Sequence, residues 1–148
     1  TLLDTAMDFE RSKMYPGIPE YFDNQGRGLY AYLTGAASWY MLTMITEVFG
    51  VRGELGNLVI KPALLPEQFD KDGKAAIKLN FSGRTLKITI HADIDNIQDN
   101  NGVYNKIIRV ECDGNELESA DLKKVVIMKK RIEEMSCERC HEIDVFIK

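Results

Sequence analysis

From Gly35 to Phe49 the chain is apolar almost all round, broken only by Ser38, Thr43, Thr46 and Glu47, and the run ends at Gly50. This pattern predicts a helix with a glycine stop. A helix apolar on nearly every side must be buried on most of them. Thr34 stands at its start as an N-cap, with a side-chain oxygen able to accept from an orphan N–H of the first turn. Gly35 lets a ligand come close to that end. Free N–H groups and the positive end of the helix dipole suit such a mouth to a phosphate or carboxylate. An ordinary capped core helix fits the same residues and is the reading the pattern alone favours.

Past Gly50 the period changes from helical to alternating. Leu58–Ile60 reads as a short strand stopped at Pro62. Ile77, Leu79 and Phe81 alternate with polar residues, as do Leu86, Ile88 and Ile90, and the turn Ser82-Gly83-Arg84 joins the two runs into a hairpin. Ile108, Val110 and Cys112 form a further alternating run that ends at the turn signal Asp113-Gly114. Val125–Met128 and Ile143–Ile147 supply two more strands. Strands polar on one face favour an antiparallel sandwich over a parallel sheet. Before Gly50 come a helical turn or two over Leu2–Lys13, the rigid stretch Tyr15-Pro-Gly-Ile-Pro19, and the polar loop Asp23–Gly28. Asp95–Gly102 reads as a flexible surface connection. The expected class is α+β, divided into a helical part over 1–50 and a β-rich part over 51–148.

A formal net charge of −4 argues against a nucleic-acid surface. The densest basic cluster, Lys123-Lys124 with Lys129-Lys130-Arg131, brackets an apolar run and reads as the solvated edge of a strand. No apolar stretch reaches the ~18 residues of a membrane span, so no membrane partner is expected. No secretory signal is visible, and three cysteines make no disulfide framework. A reducing cytoplasm is the expected compartment. The chain starts at Thr1 in mid-pattern, as a piece of a longer protein would.

Cys137-Glu-Arg-Cys140-His141 matches the pattern of covalent c-type haem, which needs two thiols for the vinyl groups and a histidine as axial ligand. It also offers, with Cys112, a Cys₃His set for zinc. The reading favoured over both is a strand-edge turn that holds cysteines by chance, so neither a metal nor a cofactor is expected. Glu20, between Pro19 and Tyr21 in a stiffened loop, is a carboxylate able to bond a sugar or act as an acid; a surface or capping role fits it equally. His91 alternates outward and is expected to face solvent. Ser-His-Asp order, a Walker loop and a dinucleotide fingerprint are all missing.

Tyr15-Pro-Gly-Ile-Pro-Glu-Tyr-Phe22, Gly26-Arg-Gly28 and Tyr32-Leu-Thr-Gly-Ala-Ala-Ser-Trp39, in this order, closely resemble the last part of the catalytic barrel of the inverting glycoside phosphorylases. That family includes the cellobiose, laminaribiose and chitobiose phosphorylases, formerly grouped with the glycosyltransferases. Gly50-Val-Arg-Gly53, Gly56–Pro62 and Phe81-Ser-Gly-Arg84 resemble its passage into a C-terminal β-sandwich; from about Ala92 the likeness is one of strand pattern alone. The resemblance implies terminal helices of an (α/α)₆ barrel followed by a jelly-roll-like antiparallel sandwich. It implies splitting of a β-linked disaccharide, cellobiose foremost, by inorganic phosphate with inversion. Phosphate then stands where an inverting hydrolase places its activated water. Carried over by motif, Thr34 and Gly35 contact phosphate, and Glu20 and Tyr21 line the sugar pocket. The family's catalytic aspartate lies upstream, and none of Asp4, Asp8 or Asp23 sits in a matching motif. A homodimer is the expected assembly. The alternative is a non-catalytic sandwich module that binds carbohydrate or packs on a neighbour, for which Phe81, Tyr104 and Phe146 are the few candidate platform residues.

Overall fold

A computed structural model of the chain describes residues 8, 10, 19, 21–29, 34–92, 106–117 and 123–148. They belong to two compact units, Thr1–Thr43 and Met44–Lys148. The Leu2–Lys13 turns, the Tyr15–Pro19 stretch and the Asp95–Gly102 connection fall almost wholly outside the described residues, and Tyr104 entirely so. The architecture is mixed α and β, with most regular residues in strands of three sheets. Among the described residues no helix is long and apolar enough to cross a membrane.

In the first unit, β1 (Tyr21–Phe22) pairs antiparallel with β2 (Gly28–Leu29). Asp23 organises the turn between them. Its Oδ1 accepts the N–H groups of Gln25 (2.8 Å) and Arg27 (2.9 Å), and its Oδ2 meets Arg27 Nε at 2.6 Å. The Arg27 backbone and side-chain hydrogen bonds together hold the Asp23 carboxyl below its ordinary value. Helix α1 spans Thr34–Thr43. Its apolar side chains are not buried as the pattern requires: Trp39, Tyr40, Met41 and Leu42 are all exposed, Trp39 at 77 %. Composition demands a cover for this helix, and composition cannot supply one.

The second unit opens where the helix loosens. Met44–Val48 is π-helical, with the Phe49 N–H donating to the Met44 carbonyl at 2.9 Å, five residues back. Gly50 then stops it, at φ +68° and with its carbonyl accepting from Lys61 N–H at 2.9 Å. A Cβ at this glycine would sit 1.7 Å from the Lys61 carbonyl oxygen.

Three hairpins follow the same rule. β3 (Val51–Glu54) and β4 (Asn57–Ile60) turn at Leu55-Gly56; β5 (Lys74–Phe81) and β6 (Arg84–Ala92) turn at Ser82-Gly83; β7 (Ile107–Cys112) and β8 (Asn115–Glu116) turn at Asp113-Gly114. Both residues of each turn have positive φ, which matches the right-handed twist of the strands they join. Leu55, at φ 52° and fully exposed, is an unusual residue for that backbone.

β9 (Val125–Ile127) pairs with β4, completing a three-stranded sheet in the order β3-β4-β9. A short helix α2 (Lys129–Glu133) follows, its first N–H donated to Asn57 Oδ1 at 2.8 Å. β10 (Cys140–Ile147) enters the larger sheet, ordered β5-β6-β10-β7-β8. It runs antiparallel to β7 but parallel to β6, from Cys140 opposite Thr85 to Ile147 opposite Ala92. The expectation of an antiparallel arrangement therefore fails at this pair, because a strand from the far end of the chain fills the slot between β6 and β7.

Leu86, Ile88 and Ile90 of β6, Val110 and Cys112 of β7, and Ile143, Val145 and Ile147 of β10 share one core with Leu58, Ile60, Val125 and Ile127 of the smaller sheet. Ile108 does not join them. The β7–β10 register shifts beside Ile147, which lies opposite Ile107. Ile107 is therefore buried and Ile108 is 59 % exposed, the result of one extra residue in an otherwise period-two strand. Gly50→Ala is expected to cost about 3 kcal/mol or more in urea unfolding, from backbone strain plus the clash with Lys61. Gly83→Ala, at φ +76° with nothing within 4 Å of its added Cβ, should cost only about 1 kcal/mol. Equal losses would contradict the assigned role of Gly50.

Candidate functional site

The sequence places its phosphate-binding pair at the start of α1, and the helix does begin at Thr34. Gly35 beside it is exposed. The Thr34 side chain and Glu20 lie outside the described residues. Tyr21 stands on β1, 63 % exposed, with Phe22 next to it.

The second unit holds a cavity of its own. That cavity, about 450 Å³, lies beside the β7–β8 turn and the end of α2, with Cys112, Asp113, Arg131, Ser136, Arg139 and His141 in its wall. Alternation along β10 turns His141 inward, at the end of the row Ile143, Val145, Ile147, and leaves it 2 % exposed. A buried imidazole needs partners, and two are present. Nδ1 lies 2.7 Å from Asp113 Oδ2, and Nε2 lies 3.0 Å from the Ser136 carbonyl oxygen. Both partners are hydrogen-bond acceptors.

Asp113 is the hub. Arg139 Nη2 donates to its Oδ2 at 2.8 Å, and the Glu142 N–H donates to its Oδ1 at 3.0 Å. Burial acts to raise this carboxyl, but the hydrogen bonds from His141 and Glu142, with the charges of His141 and Arg139, outweigh it and hold the group below its ordinary value. Burial, with the Asp113 charge, pushes the neighbouring Cys112 thiol up, which makes it a poor nucleophile. Arg84 braces the segment after α2. Its guanidinium donates to the carbonyls of Ser82 (2.8 Å), Glu133 (2.9 Å) and Met135 (3.3 Å), fixing the end of α2.

The cavity thus holds a histidine flanked by two hydrogen-bond partners and an ionised carboxylate, with no nucleophile set against a base. The Cys₃His zinc set is not assembled: Cys112 faces the core, Cys140 begins β10 facing away from it, and both His141 nitrogens are engaged. Among the described residues no group of three His, Cys, Asp or Glu side chains is placed to hold a metal ion. The strand-edge turn is likewise shorter than expected, since Cys140 and His141 already belong to the strand.

His91 is corrected too. It sits on the outward side of its sheet, yet its neighbours cover it. Nε2 lies 2.7 Å from Asp144 Oδ1, and the ring stacks on Phe146 with centroids 4.5 Å apart. From the strand on the other side of β10, the Arg109 guanidinium lies 4.0 Å from the Phe146 ring centroid. Phe146 is filled from both flanking strands and is no open platform for a sugar. The pairing of Asp113 with His141 is not visible in the sequence. The signal for Asp113-Gly114 was that of a turn, and only the strand register brings the turn to the histidine.

Comparison with protein-family models gives no match, and comparison with curated proteins gives none either.

Because its folded-state value is depressed, ionised Asp113 stabilises the fold at pH values above its unfolded value of about 3.9, and that contribution is lost as pH falls through the folded value. Asp113→Asn is expected to cost about 2 kcal/mol at neutral pH, and the gap to wild type should shrink as pH is lowered below about 4. Urea unfolding at pH 7 and in acid measures both. A gap that stays constant would contradict the role given to the carboxylate.

Proposed function

We propose that this chain is the C-terminal part of an inverting glycoside phosphorylase acting on a β-linked disaccharide, cellobiose foremost, with inorganic phosphate. In this reading residues 1–50 close the catalytic (α/α)₆ barrel, and 51–148 are the C-terminal sandwich. Thr34 and Gly35 form one wall of the phosphate site, and Glu20 and Tyr21 border the sugar. The compartment is the cytoplasm and the assembly a homodimer.

The observation that carries the proposal is the start of α1. A helix that opens at Thr34, with Gly35 exposed beside it, offers N–H donors and a favourable dipole to a dianion. The exposure of Trp39, Tyr40, Met41 and Leu42 supports the reading as well. A helix apolar on all sides is shaped to be enclosed by other helices. Chemistry then divides by location. An upstream aspartate protonates the leaving oxygen, phosphate attacks from the opposite face, and this chain contributes to holding phosphate in line.

In the full-length enzyme, Thr34→Ala should weaken phosphate by roughly 1–3 kcal/mol, the scale of a hydrogen bond to a charged group. The KM for phosphate should rise accordingly; an unchanged value would remove Thr34 from the site. The 148-residue chain alone is expected to release no glucose 1-phosphate from any β-linked disaccharide. Measurable release would show that the catalytic acid lies within it.

A further inference from the structure

Between α2 and β10 the chain bends at Cys137, Glu138 and Arg139 in succession. Polar contacts close this segment into a loop. His141 Nε2 meets the Ser136 carbonyl at 3.0 Å, the Glu138 N–H donates to Ser136 Oγ at 3.1 Å, and Arg139 is tied to Asp113 at 2.8 Å. The residues just outside the two cysteines, Ser136 and His141, are therefore bonded to each other. Cys137 and Cys140 are the next residues inward on either side of that closure. Both are free and exposed. The third cysteine, Cys112, is buried and faces the core, and burial raises its thiol above the ordinary value.

We propose that Cys137 and Cys140 form a reversible dithiol–disulfide site whose co-substrate is a low-molecular-weight disulfide of the glutathione type. One thiolate of the pair attacks a sulfur of the small disulfide. A mixed disulfide forms, the small S–S bond breaks, and one small thiol leaves. The second cysteine, deprotonated, then attacks its partner's sulfur and expels the other small thiol. In sum, two protein thiols and one small disulfide give one protein disulfide and two small thiols, with two electrons passed to the small molecule. The fold favours the second step. A loop already closed by the His141–Ser136 bond holds the two thiols at high effective concentration, whereas Cys112 is buried.

The test equilibrates the folded chain with reduced and oxidised glutathione at a total below about 1 mM, quenches with acid, alkylates and maps the products by mass. Intramolecular Cys137–Cys140 disulfide should exceed mixed disulfide by about tenfold or more, with Cys112 alkylated only after unfolding. In denaturant that preference should fall several-fold, because His141 no longer closes the loop. Cys137→Ser and Cys140→Ser should each leave the remaining thiol as a lasting mixed disulfide. Three results would overturn the proposal. One is wild-type protein carrying glutathione at the level of the single variants. Another is a link that includes Cys112. The last is a preference unchanged in denaturant.

Discussion

The second unit depends on the seating of β10 between β6 and β7. Eight registered pairs run along its β6 side, from Cys140–Thr85 to Ile147–Ala92, and five along its β7 side. Without it, β6 and β7 are separate edges and the inner rows of both lose their neighbours. Ile143, Val145 and Ile147 are each almost wholly buried in the shared core. Burying side chains of this kind contributes on the order of 2 kcal/mol each, and the strand satisfies its backbone on both sides. The same strand carries the polar detail of the unit. Its first turn inward is His141, its outward face presents Asp144 and Phe146 to His91 and Arg109, and its approach is the cysteine loop.

This arrangement explains why a histidine is tolerated where alternation calls for an aliphatic residue. His141 ends the buried row, close enough to the loop for Ser136 to accept from one nitrogen and Asp113 from the other. Taking the acceptor from a buried donor costs more than the bond contributes. The Asp113-Gly114 turn therefore does two things. It reverses β7 into β8, and it supplies the counter-charge that fixes the start of β10.

Much of the fold was legible in the residues, and the losses have physical causes. The β5–β6 hairpin could be read because Ile77, Leu79, Leu86 and Ile88 alternate with polar neighbours on either side of a glycine turn. Gly50 was a readable stop because a positive φ at a helix end favours glycine. The parallel β6–β10 pair was not readable, since strand neighbours far apart in sequence leave no local trace. Alternation places Ile108 inward because it is blind to a bulge. Alternation turns His91 to solvent because a single strand does not reveal which side chains of its neighbours will cover it. At the helix mouth the type of α1 followed from its residues. The anion reading of Thr34 and Gly35 rests on the phosphorylase resemblance and on helix-end electrostatics together.

The central structural claim is that β10 is the innermost and last strand to be released. Native-state hydrogen exchange measures this directly. The amides of Ile143 to Ile147 should open only with global unfolding, at the free energy found in urea, while those of the edge strands β3 and β5 that face solvent exchange sooner. Exchange in β10 as fast as in those edges, or faster, would contradict the account.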